Sequence, residues 1–250
     1  MTVKDVYDLI DGYAPFSSQC EWDNSGILLG DADADVKGVL VALDVTNYEA
    51  KLAVERGANL IVAHHPLIFH PLKRIEYDSL VSFLIRSGIH VIAAHTNLDK
   101  APGGVNDALC EALGFSFEKV TDAGDGFLNI ASFPDSLSAN EVAALLKARL
   151  SGAVSYIDDG KPVRKAALCG GDGGSFLQDA DSLGCDALIT GEAGYHDFLD
   201  AKTLGVSLFA AGHYETEAPV MTALRKTIKN AFPDIPVTVS DRKNSILTVL

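Results

Sequence analysis

Basic residues are scarce in this sequence, and long apolar runs are absent. Twenty Lys and Arg stand against 34 Asp and Glu, a formal net charge of −14. The chain therefore lacks the basic footprint of nucleic-acid-binding proteins and is poorly suited to anionic membrane surfaces. No apolar run approaches the roughly 20 residues of a membrane span, and the opening segment MTVKDVYDLIDGYAP has no apolar signal-peptide core. We expect a cytoplasmic protein that binds neither membranes nor nucleic acid.

Cysteine is also rare, with four residues and no CxxC pair. A chain of 250 residues can bury a sufficient apolar core without covalent cross-links, so we expect reduced and mostly buried thiols. The GxSxG motif of serine hydrolases does not occur in the sequence either. These absences argue against a disulfide scaffold and against covalent nucleophilic catalysis.

The sequence does contain an alternation of short β-branched runs with helical patterns, without a repeat. The pattern predicts helices at residues 3–13, 47–56, 77–87, 105–113, 140–150, 195–202 and 216–230. It predicts strands at residues 36–45, 59–63, 89–95, 124–133, 154–157, 163–168, 187–190, 206–211, 237–240 and 246–249. We expect an α/β protein of two domains, of which the middle one is a smaller α+β unit with antiparallel pairing.

Histidines and carboxylates follow three of the predicted strands. His64 and His65 come directly after an apolar strand and before a proline, which holds the preceding residue extended and ends the ladder. Asp99 follows the next strand, while His213 ends a later one and Glu217 comes one helical turn after it. Because ligand sites in α/β sheets gather at the carboxyl ends of strands, we expect these side chains to meet in one crevice.

Three histidines and two carboxylates have the composition of a metal site. Nitrogen and oxygen ligands suit zinc, iron or manganese. Five ligands exceed the three that a catalytic zinc usually takes and suit two ions about 3.5–4 Å apart. The pattern by itself leaves one metal or two open.

The domain organisation follows from this convergence. A cluster of Asp and Gly at 121–126 indicates a boundary, but His213 and Glu217 have to return to the first domain to meet His64. We therefore predict a discontinuous metal-binding α/β domain, residues 1–124 plus about 205–250, with the α+β domain inserted at about 125–204.

Seven segments in order along almost the whole chain resemble the Nif-three-like dinuclear-metal family, also called GTP cyclohydrolase I type 2 homologues. The resemblance implies a homohexameric ring whose sites face an internal cavity, and the chain is similar to the short form that lacks a long central insertion. It also implies that two divalent metal ions are ligated by His64, His65, Asp99, His213 and Glu217. The matching segments are EWDNSGILLG (21–30), VALDVT (41–46), AHHPLIF (63–69), HTNLD (95–99), CGGDGGSF (169–176), ITGEAGYHDFLDA (189–201) and AGHYETE (211–217).

Three further residues are candidates for the site. His95 is either a further metal ligand, a donor that orients a ligand, or a capped histidine at a strand end. The resemblance to the family implies a position beside the metals. Glu192 and His196 have the i,i+4 spacing of one helix face. They act as a proton relay or substrate contact, or as a local pair that caps the helix. No substrate-binding residue can be named from the sequence.

Three other features each allow two interpretations. Trp22 either stacks on a purine-like ring or lies in a turn in which Asp23 or Asn24 bonds its own backbone. The glycines of CGGDGG either cradle a phosphate or form a tight strand-to-helix turn, and their spacing matches no phosphate-binding fingerprint. Asp44 either orients a histidine or caps a helix.

Two functions are compatible with these residues. The first is metal-dependent hydrolysis of a small substrate, and the family name suggests a purine nucleotide such as GTP. The alternative is a non-enzymatic hexameric scaffold, a metal store or a metallochaperone, which the same ligands would serve. A pocket shaped for an organic substrate would favour the enzyme.

Overall fold

The computed structural model of the chain describes residues 1–120 and 123–242, so the strand predicted at 246–249 lies outside the described residues. The helices are α1 (Val3–Asp11), α2 (Asn47–Glu55), α3 (Leu80–Arg86), α4 (Thr96–Lys100), α5 (Val105–Leu113), α6 (Ala139–Leu150), α7 (Leu177–Ser182), α8 (Tyr195–Leu204), α9 (His213–Glu217) and α10 (Pro219–Ala231). The strands are β1 (Gly26–Leu29), β2 (Val39–Ala42), β3 (Leu60–Ala63), β4 (His90–Ala93), β5 (Phe117–Lys119), β6 (Asn129–Leu137), β7 (Ser155–Ile157), β8 (Val163–Asp172), β9 (Ala187–Glu192), β10 (Ser207–Ala210) and β11 (Val237–Val239).

The described chain divides into two compact units. Unit 1 comprises Met1–Gly104 and Met221–Arg242, and unit 2 comprises Val105–Val220. Unit 2 is longer than the predicted insertion at 125–204, and it includes His213 and Glu217, which the sequence assigned to the discontinuous domain. The physical reason is strand pairing, because β10 lies between β9 and β7 and therefore belongs to the second sheet.

The sheet of unit 1 has five strands in the order β1-β4-β3-β2-β11. The four strands from β4 to β11 are parallel, and only the edge strand β1 runs antiparallel. Every residue of β2 and β3 is buried, as expected for parallel strands covered on both faces. Helices α2 and α3 contribute Ala50, Leu52 and Leu84 to the core against this sheet.

The sheet of unit 2 has six strands in the order β5-β6-β8-β9-β10-β7. Strands β8, β9 and β10 are parallel, and the remaining neighbours pair antiparallel. Alternate residues of β8 enter two different cores, Leu168 with α5 and α6 on one face and Cys169 with α7 and α8 on the other. Helices therefore cover both faces of this sheet.

Most predicted elements differ from the observed ones by a few residues at their ends, and two differ more. The helix predicted at 216–230 is two helices, α9 and α10, and Pro219 begins the second because proline is favoured at the first helical position. The strand predicted at 124–133 begins only at Asn129, since Gly124–Gly126 forms a short 3-10 turn. The fold class itself, α/β, is confirmed.

None of the helices in the described ranges combines the length and the apolar character that a membrane crossing requires.

Candidate metal centre

Two neighbouring strands of unit 1 end at the same level and position the first histidines. Ala63 at the end of β3 pairs with Ala93 at the end of β4, so the chain leaves both strands at one edge of the sheet. His64 and His65 follow β3 directly, and His95 lies two residues after β4. The carboxyl ends of adjacent parallel strands form the crevice in which α/β sheets bind ligands.

Both histidines after β3 are held through their Nδ1 atoms. His64 Nδ1 lies 2.9 Å from the carbonyl oxygen of Ala94, and His65 Nδ1 lies 2.7 Å from Asp44 Oδ1. A carbonyl oxygen only accepts hydrogen bonds, so His64 Nδ1 carries the proton and donates it. The lone pair of the neutral imidazole is then on Nε2, which is the nitrogen suited to ligate a metal.

Asp44 is the carboxylate that bonds the Nδ1 atom of His65. Burial would raise the pKa of the Asp44 carboxyl, but the hydrogen bond to His65 and the guanidinium of Arg242 outweigh burial and lower it. The carboxylate is therefore an ionised acceptor that bonds His65 through one oxygen and Arg242 through the other. The sequence left open whether Asp44 orients a histidine or caps a helix. The geometry supports the first, because Asp44 bonds His65 and the N-cap of α2 is Thr46.

Asp23 holds the ring of His95 as Asp44 holds that of His65. His95 Nδ1 lies 2.8 Å from Asp23 Oδ1, and the other carboxylate oxygen accepts from the backbone N–H of Thr96 at 3.0 Å. Burial would raise the pKa of Asp23, but hydrogen bonds from His95 and Thr96 lower it well below its usual range. Asp23 also accepts from the N–H of Asn24 at 2.7 Å. The predicted turn exists, and the same carboxylate orients a candidate ligand.

The three histidines converge in unit 1. Their ring centroids lie 4.9 Å apart for His64 and His65, 5.1 Å for His64 and His95, and 5.6 Å for His65 and His95. One ring nitrogen from each lies within 4.8 Å of the others. Helix α4 brings Asp99 to the same place, with its Oδ1 3.5 Å from His64 Nε2. Unit 1 therefore holds a cluster of three imidazoles and a carboxylate.

Unit 2 contains a second, smaller cluster around His213. His213 begins α9, and its Nε2 lies 3.2 Å from Oε2 of Glu217, one turn later in the same helix. Its Nδ1 lies 3.4 Å from Oε2 of Glu192, at the end of β9. Glu217 is buried, whereas about half of the Glu192 side chain is exposed. An imidazole between two carboxylates is a second arrangement suited to a divalent cation.

Glycines make room for this second cluster. A Cβ on Gly171 would lie 2.3 Å from Glu217 Oε1 and 3.3 Å from His213 Nε2. A Cβ on Gly191 would lie 2.9 Å from the Cα of His213. Gly171 also has a φ of +65°, which side chains rarely tolerate. The CGGDGG segment thus allows the backbone to pass beneath Glu217, a role that the sequence did not indicate.

The predicted pair of Glu192 and His196 does not share a helix face. Glu192 is the last residue of β9, and α8 begins only at Tyr195. His196 is exposed, with its ring packed edge-on against Tyr195 at 5.7 Å. Of the two, only Glu192 lies at the candidate centre, through its contact with His213.

A cavity of about 530 Å³ in unit 2 adjoins the second cluster. His213 and Glu192 contribute to its wall together with Asp172, Glu215 and Phe198. Its volume lies within the range of small-molecule sites.

The donor set fits divalent metal ions. The rings of His64, His65 and His95 are oriented through Nδ1 by a carbonyl or a carboxylate, the arrangement that commonly supports histidine ligands of metals. The residues that could hold ions are His64, His65, His95 and Asp99 in unit 1, and His213 and Glu217 in unit 2. The supporting residues Asp23 and Arg242 were not predicted, because they lie 72 and 198 residues from their partners.

Sequence comparison identifies relatives along the whole chain. The family model DUF34/NIF3 (NGG1p interacting factor 3) matches residues 1–245. A Clostridium perfringens protein named GTP cyclohydrolase 1 type 2 homolog is 33% identical over 240 residues, 92% of each chain. A Campylobacter jejuni protein of that name is 33% identical over 250 residues, 96% of this chain and 97% of that one. A Staphylococcus aureus namesake aligns over 361 positions at 26% identity, so it carries residues that this 250-residue chain lacks.

Solved structures agree with the sequence matches. The crystal structure of Staphylococcus aureus protein SA1388 has a TM-score of 0.92 at 28% identity, covering 100% of this chain and 99% of that one. A Bacillus cereus protein related to NIF3 has a TM-score of 0.90 at 23% identity, covering 100% and 99%, which shows the shared fold alone. On the strength of both comparisons, the chain belongs to the DUF34/NIF3 family.

Proposed function

We propose that this chain binds two divalent metal ions and hydrolyses a small, nucleotide-like substrate. The proposed ligands are His64, His65, Asp99, His213 and Glu217. The observation that carries the proposal is the orientation of the histidines in unit 1. His64, His65 and His95 each donate from Nδ1 to an acceptor, which leaves Nε2 to ligate. Zinc, iron and manganese all suit this donor set.

His95 is a further proposed ligand rather than a remote donor. Its Nδ1 has the same kind of partner as that of His65, a carboxylate with a lowered pKa. About a sixth of its side chain is exposed, so an ion or a substrate can reach the ring.

Two divalent ions would supply Lewis acidity, activating water near neutral pH and stabilising negative charge that develops on the substrate. Asp44 and Asp23 would hold the rings of His65 and His95 in the orientation that points Nε2 at an ion. Glu192 would accept the proton of the attacking water and pass it to solvent, since its carboxylate contacts His213 and is about half exposed. His196 is not needed for this step.

The relatives' name supports a purine nucleotide such as GTP as the substrate class. A cavity of about 530 Å³ has room for a small metabolite. Its described lining includes three carboxylates and neither Lys nor Arg. The charge of a phosphate would therefore be balanced by the metal ions, and a polyanion such as nucleic acid is disfavoured by the net charge of −14.

The assembly is part of the same proposal. A homohexameric ring in the cytoplasm, with the metal sites facing an internal cavity, would admit metabolites and exclude polymers. Light scattering at micromolar concentration should give six times the mass of 26.5 kDa, and a monomer would contradict the ring.

Metal stoichiometry tests the centre directly. Elemental analysis of protein stripped with chelator and reloaded with zinc or manganese should give two ions per chain. His65→Ala should lower occupancy strongly because it removes a ligand, and the matched variant His196→Ala should leave it unchanged. A saturating value of zero or one in the wild-type protein would refute the dinuclear centre.

Activity tests the hydrolase. The reloaded protein should hydrolyse a compound in a screen of nucleotides and cyclic amides, lose this activity on chelation and regain it with the ion. His64→Ala should abolish turnover while the oligomer persists. Binding of two ions without turnover of any screened compound would favour the metal store or metallochaperone.

A further inference from the structure

Two large aromatic side chains are exposed beside the histidines of unit 1. Trp22, the only tryptophan of the chain, is 60% exposed, and Phe69 is 39% exposed. Their ring centroids lie 5.8 Å apart with an interplanar angle of 32°. Burial of such rings is strongly favourable, so two neighbouring exposed rings that contribute little to the core suggest a binding surface.

This aromatic pair contacts a proposed metal ligand. The ring of His95 lies 6.1 Å from that of Trp22 at 75°, and 6.1 Å from that of Phe69 at 79°. His95 therefore stands edge-on to both rings. A flat molecule resting on the pair would have one edge next to His95.

The loops that carry the two rings are held in place before any ligand binds. Asn24 Nδ2 donates to the carbonyl oxygen of Ile68 at 2.6 Å, which ties the loop of Trp22 to the loop of Phe69. The side chain of Asp23, the neighbour of Trp22, is fully buried and accepts hydrogen bonds from both His95 and Thr96. Because both backbones are already ordered, little conformational entropy would be lost on binding.

We propose that Trp22 and Phe69 form a stacking platform for a planar heteroaromatic ring, which places the ring of a small ligand beside His95. This platform rests on the proposed function and deepens it, because it assigns the ring of the nucleotide-like substrate to two named side chains. Stacking on aromatic side chains recognises the π-face that all such rings share. The phosphate or sugar of a ligand is not required for this contact.

A second copy of the chain is the competing occupant. Leu72 and Ile75, farther along the loop of Phe69, are also about half exposed. The pair itself exposes at most about 250 Å² if each aromatic side chain offers up to about 250 Å². A stable protein interface needs roughly 800 Å² from each partner. The platform matches one flat ring better than a protein surface.

The single tryptophan provides the test, because all tryptophan emission comes from Trp22. Zinc-loaded full-length protein is titrated with guanosine and adenosine, nucleosides that carry no phosphate, and with ribose as the non-aromatic control. We expect saturable quenching by both nucleosides and none by ribose. Phe69→Ala should raise the half-saturating guanosine concentration about fivefold or more, the equivalent of one stacking contact.

Two further variants complete the experiment. Tyr195→Ala removes a ring that is 73% exposed in unit 2 and should leave the titration unchanged. Phe69→Tyr keeps the stacking face and should retain near-wild-type binding, which guards against a misfolded Phe69→Ala. Elemental analysis of each sample reports zinc content independently.

Each result has a distinct meaning. Equal responses to ribose and guanosine, or no quenching in protein that holds its zinc, would overturn the platform and leave the metal centre standing. A change of emission on dilution of the protein alone would assign the surface to a second copy and also overturn it. Guanosine quenching in protein that binds no metal would support the platform and refute the proposed function.

Discussion

Replacing Gly171 with alanine tests whether the backbone beneath Glu217 is part of the metal centre. The new Cβ would lie 2.3 Å from Glu217 Oε1, whereas ordinary contact begins at 3.4 Å. The carboxylate therefore has to move by about 1 Å, and it is a proposed ligand. Changes that misorient the ligands of a metal typically cost about 10–100-fold in affinity, and we expect a loss of this size for zinc.

Gly184 provides a matched control. Its φ of +66° equals that of Gly171 within a degree, but an added Cβ would find no atom within 4 Å. Alanine in this left-handed conformation costs about 1–2 kcal/mol. This corresponds to a fall in Tm of about 2–8 °C at 2–4 °C per kcal/mol. Gly184→Ala measures this backbone strain alone, without the clash.

Thermal unfolding of the apo-proteins and competition with a zinc-binding dye measure the two effects separately. Both variants should lose thermal stability, and only Gly171→Ala should lose zinc affinity. Wild-type affinity in Gly171→Ala, or an equal loss in Gly184→Ala, would refute the argument that the glycine protects the position of Glu217.

Two predictions concern residues outside the site. Burial opposes ionisation of Asp159, but hydrogen bonds from the backbone and side chain of Lys161 outweigh burial and lower the pKa of the carboxyl. The ionised carboxylate therefore stabilises the fold above the unfolded pKa near 3.9, and this stabilisation fades as the pH falls through the folded pKa. Asp159→Asn should thus be less stable than wild type at pH 7 in urea unfolding, and a gap that does not narrow below pH about 4 would contradict this. Ser138→Ala removes the capping box that α6 makes with Glu141 and should cost about 1 kcal/mol. Thr203→Ala, an exposed hydroxyl within α8, should cost clearly less in the same urea assay.

Local sequence patterns were sufficient to predict where most strands of the unit 1 sheet lie in the chain. The apolar runs of β2, β3 and β4 are continuous and are followed by polar residues, so their positions could be predicted within a few residues. Strand β1 was missed because four residues at an antiparallel edge carry too little pattern. Pro219 was a readable signal for the start of α10 that the periodicity of 216–230 obscured.

Long-range pairing could not be predicted in the same way. The assignment of β10 to the second sheet depends on its register with β9 and β7, and its own sequence does not reveal these partners. For the site, residues directly after strands were visible as candidates. Their partners were not, since Asp23 and His95 are 72 residues apart. The ligand assignment itself stays a prediction until metal is measured.

The position of β11 in unit 1 has a consequence for the order in which the protein is completed during synthesis. Strand β11 pairs with β2, and the hydrogen bond from Thr238 to Val39 spans 199 residues. The ribosome therefore releases all of Val105–Val220 before the sheet of unit 1 can close, and such distant pairing is slow to form. Arg242, which binds Asp44 behind His65, emerges after that strand. The nascent chain thus cannot fully secure His65 until Arg242 has been made.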